Sequence, residues 1–285
     1  MKFRLGKAGS APIFLLLAAC AAPTTQQTSG VDRMYVINCG ENHAKDVSLW
    51  TPGVSVGRPH VFSNHCYLIK HAQGWMLWDS GNADRIAALP NGLTNPRGTL
   101  TAFMRKPLAE SLKEIGVMPA DIKHVAMSHA HGDHSGNANL FAGATWYVQS
   151  AEYAAMFSPE AQKYGFISTN FDKLREKPAM IINGDHDVFG DGSVTLKAAP
   201  GHTPGHQVVL VRLPKTGPVL LSGDMVHLLY SWNNRAVPSF NFDVAQSAAT
   251  IDAMKAFVQK TGAQLWINHD LEQNARIPKA PRFVQ

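Results

Sequence analysis

The chain predicts one α/β domain, on three observations. Strand-like runs come first and later alternate with helical ones. Chemically reactive side chains stand directly after the apolar runs rather than inside them, the pattern of loops held at a sheet edge. And 285 residues, less a short N-terminal export segment, are enough for one full hydrophobic core without a second domain.

Taken in order, residues 1–19 read as an export signal. Lys2, Arg4 and Lys7 make a basic start, and Ile13–Ala19 is an apolar run too short to span a bilayer as a helix. Leu17-Ala18-Ala19-Cys20 resembles the bacterial lipobox, which implies that Cys20 becomes a lipidated N-terminus; the alternative is an ordinary cleaved signal with a chance cysteine. Ala21, where a retention signal shows aspartate, resembles the outer-membrane pattern. The chain is therefore expected to be exported and anchored through Cys20, on the outer membrane and facing the periplasm, with residues 20–33 as a flexible tether. The whole chain carries +5, but three of its 26 Lys and Arg lie in the signal, which leaves a mature chain near +2. With no basic run interleaved with aromatics, nucleic acid is not an expected partner.

Met34–Cys39, Val61–Ile69 and Gly74–Trp78 read as strands, the last two paired and ending in Asp79-Ser80-Gly81. Leu108, Leu112 and Ile115 share a helical face that Gly116 closes. Ala144–Val148 reads as a strand, with Ser150 capping a short helix to about Phe157. Residues 158–177 lack periodicity and read as a surface loop or lid. Met180–Ile182, Ser193–Ala198, Gln207–Leu213 and Pro218–Leu221 supply further strands, with Lys215-Thr216-Gly217 as a turn. Asp243 with Gln246 resembles a capping box ahead of a helical stripe of Val244, Ala248, Ile251, Met254 and Val258, read as core. Gln264–Asn268 is the last strand. Cys39 and Cys66 lie in strand-like apolar stretches; they could pair in an oxidising compartment, but two separately buried thiols are expected.

Ser128-His129-Ala130-His131-Gly132-Asp133-His134 concentrates the chemistry. A close-packed core has no use for three imidazoles and a carboxylate in six positions, and a solvated surface has no reason to order them. Nitrogen donors beside a hard carboxylate oxygen suit zinc or a similar first-row divalent ion. On extended backbone His129 and His131 point to the same side, while Asp133 and His134 follow a glycine and can turn elsewhere. His202, in the turn Gly201-His202-Thr203-Pro204-Gly205-His206, Asp224 after Leu220-Leu221-Ser222-Gly223, and His269 each follow an apolar strand and can converge on the same edge. His206 reads as a supporting residue, and His43, His60, His65, His71, His124 and His186 as surface or satisfied core.

These segments together, with Asn268-His269-Asp270, resemble the metallo-β-lactamase superfamily in its dinuclear hydrolase form. The likeness runs from about Met34 to the C-terminus, so residues 34–285 are expected to form one hydrolase domain. The resemblance implies an αβ/βα sandwich, two mixed sheets face to face with helices outside. It implies two Zn2+ or similar ions per chain, one on His129, His131 and His202, the other on Asp133, His134 and His269, with Asp224 bridging. Asp79 matches an aspartate that orients a ligand histidine. Ala236-Val237-Pro238-Ser239-Phe240-Asn241-Phe242-Asp243, Asn268-His269-Asp270-Leu271-Glu272-Gln273 and Cys66-Tyr67-Leu68-Ile69-Lys70 are similar to the N-acyl-homoserine lactonases, which open the lactone ring of bacterial signals.

One position departs from that family. A tyrosine is common three residues after the bridging aspartate; here His227 stands there, with Tyr230 one turn on. Either could serve the substrate carbonyl, and both are candidate catalytic residues. The implied reaction is attack by a metal-bridging hydroxide, with Asp133 moving the proton. The expected partner is a small acyl lactone or ester, and a homodimer is compatible with the sequence. Phe103, Tyr230 and Trp232 are candidate walls for an acyl chain. The same metals would also serve an esterase or phosphotriesterase, and a non-catalytic metal- or ligand-binding lipoprotein is the reading from another class. A β-lactamase normally lacks a carboxylate at the place of Asp224, and a glyoxalase-II-type thioesterase needs a further helical domain that does not fit after His269.

Overall fold

A computed structural model describes residues 1–2 and 30–285 apart from 176 and 178. Residues 3–29, and with them Cys20, nearly all of the expected signal and most of the tether, lie outside the described residues. No helix among the described residues is long and apolar enough to cross a membrane.

In chain order the elements are β1 (Val31–Ala44), β2 (His60–His71), β3 (Gly74–Trp78), β4 (Leu93–Thr94), β5 (Leu100–Phe103), α1 (Leu108–Glu114), β6 (Ile122–Ala126), α2 (Gly132–Ser135), β7 (Thr145–Gln149) and α3 (Ser150–Met156). There follow β8 (Ala179–Ile182), β9 (His186–Asp187), β10 (Val194–Ala198), β11 (Gln207–Leu213), β12 (Gly217–Leu221), α4 (Leu229–Asn234), α5 (Val244–Thr261), β13 (Gln264–Trp266) and α6 (Leu271–Asn274). They build an eight-stranded sheet ordered β4-β5-β1-β2-β3-β6-β7-β8 and a five-stranded sheet ordered β13-β12-β11-β10-β9. Both sheets are mixed: β3, β6, β7 and β8 run parallel, as do β12 and β13, while the remaining pairs are antiparallel.

Alternation along the strands sorts the side chains into layers. Val36, Ile69, Met76 and Trp78 of the large sheet meet Leu196, Val209, Val211 and Leu221 of the small one. On the outer face of the large sheet Leu68, Leu77, Val125 and Trp146 pack against Leu108 and Leu112 of α1 and Met156 of α3. On the outer face of the small sheet Val208, Leu210 and Leu220 pack against Ile251 and Met254 of α5. The αβ/βα sandwich is therefore present. Strand β1 traverses the molecule: Val31 pairs with His71 at one pole, and Ala44 pairs with His60 at the other.

Four local expectations are corrected. Cys39 and Cys66 form a disulfide, with Cα atoms 5.8 Å apart. A register shift between Asn38 and Glu41 in the β1–β2 ladder brings Cys39 beside Cys66, a bulge that composition does not announce. Within the expected loop 158–177, Ala161–Tyr164, Ser168–Asn170 and Asp172–Leu174 form short 3₁₀ turns anchored by buried Ala161, Phe166, Phe171 and Leu174, elements too brief to show a period. Ser150 does not cap α3; its hydroxyl donates to Asn183 Oδ1. In α5 Val244 is exposed, and Ser247 and Thr250 share the buried face, donating to the Asp243 and Pro200 carbonyls. Asp243 does cap this helix, accepting from the Gln246 N–H at 2.8 Å.

Candidate metal centre

The carboxyl ends of β3, β6, β10, β12 and β13 deliver Asp79, His129, His202, Asp224 and His269 to one pole. Asp79 is fully buried at φ +58°, in the left-handed region. Its Oδ1 accepts the Ser128 N–H at 2.6 Å, and its Oδ2 accepts from His134 Nδ1 at 2.9 Å. That fixes the ring of His134 on α2 so that Nε2 points inward. The other rings are fixed in the same manner. His131 Nε2 donates to the Tyr164 carbonyl at 2.8 Å, His202 Nδ1 to Asn241 Oδ1 at 2.9 Å, and His269 Nδ1 to the Ser63 carbonyl at 2.7 Å. His129 Nδ1 lies 3.0 Å from Ser128 Oγ. Each imidazole thus turns its second nitrogen toward the centre.

Two donor groups result, His129, His131, His202 and Asp224 in one and Asp133, His134 and His269 in the other, the ligand atoms of each lying within 4.8 Å of one another. Asp224 spans them. Its Oδ1 is 3.0 Å from His134 Nε2 and 2.9 Å from His269 Nε2, while Oδ2 is 3.5 Å from His202 Nε2 and 3.8 Å from His129 Nε2. Although buried, His134 Nε2 and Asp224 Oδ1 are not aligned as a hydrogen bond, the arrangement of two donors that share a cation. The residues therefore fit a divalent metal on each group.

Charge divides the centre. Burial works against the protonated form of His134, yet Asp224, Asp79 and Asp133 raise its pKa well above the ordinary value. His269 is raised by Asp224 and Asp133 in the same way. Burial and neighbouring imidazoles hold His129 and His202 well below it. His206 supports rather than ligates: it accepts the Asp224 N–H at 3.0 Å through Nε2 and bonds the Ala199 carbonyl through Nδ1.

His227 stands at the centre. It is buried, its Nε2 is 3.2 Å from Asp224 Oδ2, and its ring stacks on that of His269 at 5.7 Å and 8°. Neither of its ring nitrogens has a hydrogen-bond partner among the described residues. Tyr230, on α4, is exposed, and its hydroxyl lies against Gly53. Of the expected wall residues, Trp232 packs on the α5 side with Lys255 over its ring, and Phe103 packs against His43. Aromatic rings that do reach the centre are Phe166, 5.7 Å from His131, Phe62, 5.8 Å from His269, and the exposed Phe240, 6.3 Å from His202, 6.4 Å from His227 and 5.9 Å from Trp50.

Sequence reasoning missed the residues behind the ligands. Asn42 Nδ2 donates to Asp133 Oδ2 at 2.7 Å, and Asn64 Nδ2 to the Asp133 carbonyl at 2.7 Å. Glu152, on α3, is buried, which pushes its carboxyl up to about 7 against three hydrogen bonds that favour the carboxylate. The available signal was polar residues at positions where a strand or a short helix should be apolar.

A sandwich of this layering with such a donor set at one pole defines the metallo-beta-lactamase superfamily, whose pattern matches residues 60–261. The chain is 36% identical over 229 residues to N-acyl homoserine lactonase AttM of Azorhizobium caulinodans, spanning 76% of this chain and 85% of that one. It is 31% identical over 264 residues to an N-acyl homoserine lactonase of a Bacillus species, spanning 89% of this chain and 99% of that one. An N-acyl homoserine lactone hydrolase solved with the product N-hexanoyl-L-homoserine at its catalytic metal centre superposes with a TM-score of 0.79 at 26% identity, covering 89% of this chain and 99% of that one. The chain belongs, within the superfamily, to the N-acyl homoserine lactonase family.

Proposed function

We propose that this protein opens the lactone ring of N-acyl-homoserine lactones with two divalent first-row cations, zinc foremost, held by His129, His131 and His202 on one side, Asp133, His134 and His269 on the other, and Asp224 between. Hydrolysis of an ester-type bond at a metal-dependent site follows from the family. The observation that carries the two-cation reading is Asp224, whose two oxygens face two separate donor groups. Bound there, the cations supply Lewis acidity toward the carbonyl and a water made nucleophilic near neutral pH.

The chain's own residues do the rest. Asn42 holds Asp133 Oδ2 at 2.7 Å at the edge of the centre. There the carboxylate takes the proton released as the ring ester is attacked and passes it to the departing alkoxide oxygen. The His227 imidazole, whose ring nitrogens have no hydrogen-bond partner among the described residues, donates an N–H to the substrate oxygen that the family's tyrosine would serve. Trp50 and Phe240 line the apolar approach for the acyl chain, and Tyr230 serves the entrance wall rather than the chemistry.

Metal-loaded protein is to be incubated with acyl-homoserine lactones of graded chain length, aryl esters and a phosphotriester. Lactone opening with the highest kcat/KM is the expected result. Turnover of esters or phosphotriester without lactone opening would replace this reading, and no turnover at all would favour a binding protein. We also propose export and lipid anchoring at Cys20, on the sequence pattern alone; radiolabelled fatty acid should enter the wild type and not Cys20→Ser.

A further inference from the structure

Glu152 is the only glutamate buried among the described residues, 3% exposed on the first turn of α3. Its Oε1 accepts the Ala130 N–H at 2.9 Å; its Oε2 accepts the Thr203 hydroxyl at 2.7 Å and the Gly205 N–H at 2.9 Å. Ala130 lies between His129 and His131, and Thr203 follows His202. One carboxylate therefore fastens both loops that carry the three imidazoles of the first donor group. The fit is close: a Cβ at Gly205 would collide with the backbone nitrogen and Cβ of Glu152. The second group is held by different residues, Asp79 behind His134, Asn42 behind Asp133 and Ser63 behind His269.

We propose that Glu152 is a positioning residue that sets the spacing between the His129–His131 loop and the His202 turn, and so governs cation affinity at the first donor group alone. This rests on the two-cation reading above. All three of its neighbours donate, so an acceptor-only carboxylate matches them and an amide does not. However a glutamine at 152 is turned, its NH2 faces the N–H of Ala130 or of Gly205 and leaves that buried donor without an acceptor. The loop that loses its tie relaxes, and the three nitrogens no longer converge.

The test is stepwise Co2+ titration of the chelator-stripped full-length protein, followed by the cobalt absorption bands. His202→Ala and His269→Ala mark which step belongs to which group. Wild type should take up two equivalents. Glu152→Gln should weaken the step missing in His202→Ala by about 10–100-fold and leave the step missing in His269→Ala unmoved. Thr203→Val, which removes one donor and keeps the shape, should move the same step by less; it decides the matter if Glu152→Gln does not fold. Equal weakening of both steps, or a lower melting temperature with both steps intact, would overturn the proposal by reducing Glu152 to a structural role. Wild-type uptake below two equivalents would overturn the two-cation reading and this proposal with it.

Discussion

The two donor groups share Asp224 but are built on different physics. Around His129, His131 and His202 the only carboxylate among the donors is the shared one, and the outer nitrogens rest on uncharged oxygens of Ser128, Tyr164 and Asn241. Around His134 and His269 stands a second carboxylate, Asp133, and a third, Asp79, lies behind His134. The first group relies on two loops held at a fixed distance, the second on accumulated negative charge. Geometry can be lost by relaxation of a loop, whereas charge is lost only by removing the charged group. The two halves of the centre should therefore fail in different ways.

The sharpest way to break that contrast is Asp224→Asn, since an amide offers one ligating oxygen where the carboxylate offers two. Metal content should fall below two ions per chain, and kcat/KM by roughly 10³-fold or more, as read by elemental analysis beside kinetics; two tightly held ions in the variant would show that the groups are independent. Asp133→Asn comes next. Its kcat should drop by about 10²–10⁴-fold with KM little changed, and a matched loss in binding would remove the proton role. The smallest effects sharpen the comparison most. Asp79→Asn should weaken the His269-linked step by about 10–100-fold, and Asn241→Ala the His202-linked step by about tenfold, both read by metal titration. If Asn241→Ala proved the more damaging, the assignment of charge to one group and geometry to the other would be reversed.

Much of this was legible in the sequence, because ligand chemistry is local. His129, His131, Asp133 and His134 declare themselves by density, and His202, Asp224 and His269 by following apolar strands. Sheet layering was legible from the family likeness alone; Val208 to Val211 are uniformly apolar, and only the structure divides their side chains between the two core layers. What escaped depends on pairing across the sheet. The Cys39–Cys66 bond needs a bulge that only the β1–β2 register reveals. Glu152 reads as an ordinary helix-start acid until Ala130 and Gly205 are seen to meet it. The segment 161–174 looks aperiodic because it is pinned by single buried side chains, among them Phe166, bridged to His131.

The course of β1 has a topographic consequence. The strand enters at the Val31–His71 pole and reaches the metal pole at Asn42, which holds Asp133; fourteen extended residues measure on the order of 40 Å. Any anchor ahead of Gly30 would pull on the floor of the sandwich and leave its mouth turned toward open water. A diffusing small molecule would then meet the metal pole without first crossing any surface on which such an anchor was fixed.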